Sequence, residues 1–218
     1  MEVIRHIIDF TLHIDQHLAE IIQQYQTGAY LILFLIIFAE TGFVITPFLP
    51  GDSLLFAVAA LIAKGDTGLD ILLMSTLLCL AAIAGNTLNY YLGLYIGPKA
   101  FKPGNRILKL EYYNKTQDFF AKHGGKAVIL SRFLPIFRTV APFVAGVGGM
   151  SIGRYTLYNV VGGVSWVLSF LLLGYLFGNI PVIKNNFTLV ILIIIFSSVI
   201  PPLYSALRSK KHKEGDVI

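Results

Sequence analysis

Charge is scarce in this sequence: Asp, Glu, Lys and Arg make up 13% of its 218 residues, while 56% are hydrophobic. Soluble domains carry about 25% charged residues. With a mean hydropathy of +0.72, a solvated globular domain is excluded and the chain reads as an integral membrane protein. Cysteine is nearly absent. The single Cys79 excludes an internal disulfide framework and leaves no thiolate set for zinc. Of His6, His13 and His17, only His13 and His17 have the i, i+4 spacing of a helix-face metal pair; no third ligand completes it, so neither metal nor cofactor is expected. The N-terminus lacks a small-residue cleavage site, so a cleaved signal peptide is not expected. The net charge of +5 does not point to nucleic acid, because the positives flank hydrophobic segments, where they set topology and meet anionic lipid.

Residues 1–28 place Ile4, Ile7, Ile8, Leu12, Leu18 and Ile21 at helical spacing among acids and histidines, the pattern of an amphipathic helix in the interface. From Ala29 to Ala39 only eleven apolar residues run before Glu40, about half the ~20 that a span requires. Pro47, Pro50, Gly51 and Asp52 follow, then a second short apolar arm to residue 63. Two half-length arms around a Pro/Gly break predict a re-entrant hairpin over 29–63; a single kinked helix is the alternative. Residues 71–97 are long enough to span, and Gly85, Asn86 and Asn89 within them read as helix-packing devices. Residues 98–126 form a polar linker with seven basic and two acidic residues, assigned to the cytoplasm. A second break over 127–150 holds Arg132, Pro135, Arg138, Pro142 and Gly146; residues 155–178 and 187–207 read as further spans, and 208–218 as a basic cytoplasmic tail. Small residues around Gly162 permit a homodimer.

Comparing the halves suggests a repeat. PFLPG at 47–51 resembles PFVAG at 142–146, and LGLYIG at 92–97 resembles LGYLFG at 173–178. Each half is then a broken re-entrant element followed by one crossing, which delivers the next unit to the opposite face, so the repeat is inverted. Charge counting agrees, because two crossings separate the basic linker from the basic tail. The expected fold is an all-α polytopic membrane protein: two inverted repeats of hairpin plus transmembrane helix (29–97 and 127–178), a C-terminal transmembrane helix and interfacial amphipathic helices.

Arg132 and Arg138 would each cost roughly 2.5–3.5 kcal/mol at the centre of a spanning helix, so they require partners or a wet cavity. If the hairpins meet, Glu40 and Asp52 supply the partners, and two acids with two guanidinium forks make a neutral cluster. Arginine stays charged and grips phosphate or carboxylate in a bidentate fork, whereas a carboxylate at membrane depth can take up a proton. One reading is therefore a carrier in which Arg132 and Arg138 bind an anionic headgroup and Glu40 and Asp52 couple it to protons. The other is a permanent salt-bridge lock between hairpins.

The segments FAETGFVITPFLPGDSLLF, Gly85 to Gly97 (G-x-x-x-N-Y-x-x-G-x-x-x-G), KHGGKAVILSRFLPIFRTVAPFVAGVGGMS and YNVVGGVSWV together resemble the DedA family, which shares the SNARE-associated Golgi protein (VTT) domain. The resemblance implies a multi-pass protein of the bacterial inner membrane with its C-terminus in the cytoplasm, two opposed re-entrant loops, dependence on proton-motive force, and flipping of lipids, notably recycling of undecaprenyl phosphate for the envelope. Family functional residues match Glu40, Asp52, Arg132 and Arg138. The chain departs at Asn86 and Leu94, where many relatives carry Asp and Arg. No enzymatic activity is expected. The rival classes are a passive phospholipid scramblase and an intramembrane polyprenyl-phosphate phosphatase with Ser53 or Thr46 as nucleophile.

Overall fold

A computed structural model describes residues 14–43, 51–65, 67–100, 124–178 and 180–181. Pro47, Pro50, Thr46, His6, His13, most of the basic linker, the span expected over 187–207 and the tail lie outside these residues. Among the described residues there are seven helices and no strand: α1 (Ile14–Tyr25), α2 (Gly28–Gly42), α3 (Gly51–Ala63), α4 (Ile71–Ala100), α5 (Lys126–Ser131), α6 (Pro135–Val147) and α7 (Ile152–Phe177).

α1 is amphipathic as expected, burying Leu18 and Ile22 while Glu20, Gln23 and Gln24 stay exposed. α2 buries Ala29, Leu33, Ile37 and Glu40 along one stripe. α3 has no solvent stripe, and every residue from Gly51 to Ile62 is buried. A helix apolar all round belongs inside, and α3 is the inner helix of the bundle.

The apolar part of α4, Ile71–Ile96, and α7 are each 26 residues long, ~39 Å at 1.5 Å per residue. That exceeds the ~30 Å hydrocarbon thickness of a bilayer. Asp70 caps α4, its Oδ1 accepting from Leu73 N at 2.7 Å and satisfying one of the free amides of the first turn. α2, α3 and α6 are half-length, with 15, 13 and 13 residues.

The halves interlock. α3 packs on α7 and α6 packs on α4, so the half-length helix of each half lies against the long helix of the other. Glycine permits both crossings: a Cβ on Gly93 would strike the Phe143 backbone, and one on Gly174 would strike the Phe56 backbone. Gly93 and Gly174 are equivalent positions of the LG-x-x-x-G match, so that part of the sequence repeat corresponds to equivalent contacts.

The PFLPG and PFVAG match does not. Gly51 opens α3, whereas Pro142 and Gly146 lie inside α6.

Pro142 and Gly146 are thus not breaks. The chain turns at Arg132, Phe133 and Leu134, and Pro135 begins α6 at a position where its missing N–H deprives no partner. Pro142 is carried within the helix, where it leaves the Arg138 carbonyl without its usual i+4 donor. α6 closes at Gly148 and Gly149, the latter at φ 65°. Gly162 and Gly163, whose small size permits close approach, are buried within the chain, against Ile129 and the Arg132 side chain.

Candidate functional site

Glu40 lies in the last turn of α2 and Arg138 four residues into α6. Each sits near the end of its helix that the macrodipole disfavours for its charge, whereas Asp52, in the first turn of α3, sits at a favoured one. The three come together. Arg138 Nη2 donates to Glu40 Oε1, and Arg138 Nη1 donates to Asp52 Oδ1 at 2.5 Å. All three are buried, Glu40 completely. One guanidinium fork therefore bridges two carboxylates from different helices.

α7 completes this triad through Trp166. Its Nε1–H donates to Asp52 Oδ1 at 2.8 Å, and the Arg138 guanidinium carbon stands 5.1 Å from the indole centroid, within cation–π range. Trp166 is fully buried and holds both members of the Asp52–Arg138 pair. Gly51 makes room on the other side, because a Cβ there would overlap the Glu40 carboxylate. Asn89 of α4 ties the neighbouring backbones: its Nδ2 donates to Thr139 O at 2.7 Å and reaches Thr41 O at 3.4 Å.

Arg132 stands apart from this triad. It lies at the α5–α6 turn, is 1% exposed, and is held by neutral groups. Its Nη2 donates to Asn159 Oδ1 and reaches the Ala82 carbonyl at 3.4 Å. With the Asn86 amide nitrogen toward Thr41 O (3.0 Å), the Asn86 oxygen accepts from Arg132 Nε (3.1 Å) and Nη2 (2.8 Å); the opposite orientation sets oxygen against oxygen. Asn159 Nδ2 in turn donates to Ile83 O and Thr87 Oγ1, both at 3.0 Å, and Tyr155 Oη donates to the Asn86 carbonyl at 2.8 Å. The lack of a Cβ at Gly163 lets the guanidinium lie close to α7.

The expected cluster of two acids and two arginines is therefore divided. Three of the four expected residues meet, and Arg132 occupies a separate amide pocket. Trp166 and Asn159 were not singled out in the sequence, and Asn86 was read as a packing residue; an amide inside a long apolar helix was the available signal. Among the described residues, four buried side-chain polar atoms have no side-chain or backbone hydrogen-bond partner: Glu40 Oε2, Asn89 Oδ1, Arg132 Nη1 and Arg138 Nε. Buried polar groups are normally satisfied, so three of these, on the charged residues themselves, mark unused capacity to bind. Among the described residues no group of three or more His, Cys, Asp or Glu is placed to hold a metal; His17 faces Glu20 at 3.6 Å on an exposed surface.

The family model described as the VTT domain matches residues 49–176, a stretch that contains Asp52, Arg132, Arg138, Asn159 and Trp166. The chain is 48% identical over 212 residues to Protein DedA of Escherichia coli strain K12, covering 97% of each chain. It is 41% identical over 172 residues to an uncharacterized membrane protein of Mycobacterium leprae, covering 78% of this chain and 76% of that one. To the inner membrane protein YqjA of Escherichia coli strain K12 it is 37% identical over 154 residues, covering 70% of this chain and 69% of that one. No solved structure matches. On the VTT match, the near full-length similarity to Protein DedA and the two helices long enough to cross a bilayer, the chain is a membrane protein that belongs to the DedA family.

Proposed function

We propose that this protein is a proton-coupled transporter of a lipid-linked phosphate, with undecaprenyl phosphate as the lipid, recycled across the bacterial inner membrane for envelope biogenesis. In this reading α2–α3 and α5–α6 are two re-entrant hairpins inserted from opposite faces in an inverted repeat. The basic linker and C-terminal tail face the cytoplasm. The protein moves its lipid without making or breaking a covalent bond.

The observation that carries the reading is Arg138 shared between Glu40 and Asp52. The two acids and two buried arginines sum to zero charge. An anion entering this low-dielectric site leaves an unbalanced negative charge, which is costly, unless a proton enters with it. Glu40 is the receiving group, because it is completely buried in the last turn of α2, where the helix dipole disfavours a negative charge, while Asp52 sits in the first turn of α3 with its Oδ1 held by both Arg138 and Trp166. Protonated Glu40 releases Arg138 Nη2, which then donates to a phosphate oxygen. Arg132 supplies the second cation.

The test is transbilayer movement of a fluorescent short-chain prenyl phosphate by the purified protein in liposomes. Movement is expected for the phosphate and not for phosphatidylcholine, and is lost in Arg132→Gln and Arg138→Gln. Headgroup-blind movement would identify a passive scramblase. Release of inorganic phosphate would identify a phosphatase, although Ser53, its candidate nucleophile, is fully buried in α3.

A further inference from the structure

The two arginines differ in what surrounds them. Arg138 is engaged by two carboxylates, whereas Arg132 has no ion-pair partner among the described residues. An arginine that is 1% exposed usually carries a buried counter-ion, because desolvating a lone charge costs several kcal/mol. Here amides and carbonyls replace that counter-ion: Asn86, Asn159 and Ala82 supply acceptor oxygens without supplying negative charge. They stabilise the guanidinium and fix its plane while leaving it positive. They also leave Nη1 buried and without a partner.

Asn159 is itself immobilised. Its Nδ2 is anchored on Ile83 O and Thr87 Oγ1 of α4, so its oxygen can point only at Arg132. Asn86 is similarly committed, with its nitrogen on Thr41 O. The guanidinium is thus held in place from α4 and α7, with Nη1 vacant and no carboxylate directly against it among the described residues.

We propose that Arg132 is a fixed anion-accepting centre of this protein, its Nη1 offered to one phosphate or carboxylate oxygen, and that Asn159 and Asn86 are its positioning residues, which work because they are neutral. Arg138, held by Glu40 and Asp52, joins it only once Glu40 is protonated. The identity of the anion as a lipid phosphate rests on the transport reading above; the presence of an anion site at Arg132 does not.

Asn159→Asp separates charge from position. It keeps an acceptor oxygen against Arg132 Nη2 but adds the counter-ion that the site lacks. The full chain, purified in lipid nanodiscs, is titrated with farnesyl phosphate, farnesol, inorganic phosphate and palmitate. The wild-type protein is expected to bind farnesyl phosphate at least 10-fold more tightly than farnesol. Asn159→Asp is expected to lose that preference, with farnesol binding unchanged. A merely structural role for Asn159 would instead leave the phosphate preference intact in the folded variant, and that result overturns the proposal. If Asn159→Asp does not fold, Arg132→Gln decides in the same way: loss of the preference supports the site and its retention overturns it. Binding of inorganic phosphate or palmitate that depends on Asn159, without preference for farnesyl phosphate over farnesol, would uphold the anion site and refute lipid-phosphate transport. No binding of any anion by the wild-type protein would refute the site itself.

Discussion

Removing Arg138 should cost far more than removing either acid, and the cost should be partly reversible by a second substitution. Arg138 bonds Glu40 Oε1 and Asp52 Oδ1 at once. Arg138→Gln leaves two buried carboxylates facing each other without their cation, and breaking a buried ion pair from one side typically costs 3–5 kcal/mol. That is a factor of roughly 10² to 10⁴ in the unfolding equilibrium. Glu40→Gln is different: it keeps an oxygen acceptor for Arg138 Nη2, and Asp52 remains as the counter-ion. Only the difference between a charged and a neutral hydrogen bond is lost, about 1–2 kcal/mol. Adding Glu40→Gln to Arg138→Gln then removes one of the orphaned charges, and the double variant should be more stable than Arg138→Gln by about 1–3 kcal/mol. Reversible unfolding in mixed dodecyl maltoside and SDS micelles measures all three. Additive losses, with the double variant less stable than Arg138→Gln alone, would show that the residues do not share one buried charge balance.

Three further outcomes follow from the packing. Gly51→Ala should destabilise by about 1–3 kcal/mol because its Cβ meets the Glu40 carboxylate, and Glu40→Ala should relieve most of that loss; thermal unfolding of the single and double variants checks it. Trp166→Phe removes the N–H held by Asp52 Oδ1 while keeping a ring beneath Arg138, so a loss of about 1–3 kcal/mol is expected, and an unchanged melting midpoint would contradict the bond. Gly93→Val and Gly174→Val should both be severely destabilising in the same assay, because each adds a side chain against the backbone of a crossing helix. Gly153→Val, whose Cβ meets nothing within 4 Å, should be tolerated.

The charged residues were legible because a charge in an apolar run has no innocuous explanation: Glu40, Asp52, Arg132 and Arg138 stood out without any knowledge of the fold. The two long helices were legible from length, and the half-length arms from the early arrival of Glu40 after Ala39. Their partners were not legible. Which acid meets which arginine depends on how α2, α3 and α6 cross, and Trp166 joins them only because α7 packs on α3. Asn86 and Asn159 look like ordinary packing amides until Arg132 is placed between them. The reading of Pro142 as a break failed for a local reason. Pro135 starts a helix and Pro142 rides inside it, and sequence alone does not distinguish a proline that begins a helix from one that interrupts it. The LG-x-x-x-G match places Gly93 and Gly174 at similar close helix crossings, where only glycine fits, whereas Gly51 and Gly146 of the PFLPG and PFVAG match meet different neighbours.

The central claim is that a proton accompanies the anion through Glu40, and the most direct measurement is transport of a fluorescent short-chain prenyl phosphate into liposomes at a series of pH values, comparing the wild-type protein with Glu40→Gln. Protonated Glu40 is the form that frees Arg138, so wild-type transport should be fastest on the acidic side and fall as pH rises. Glu40→Gln, permanently neutral at that position, should retain phosphate-lipid movement but lose its dependence on pH and on an imposed proton gradient. Wild-type transport indifferent to pH, or a Glu40→Gln profile that superimposes on the wild type, would contradict the account.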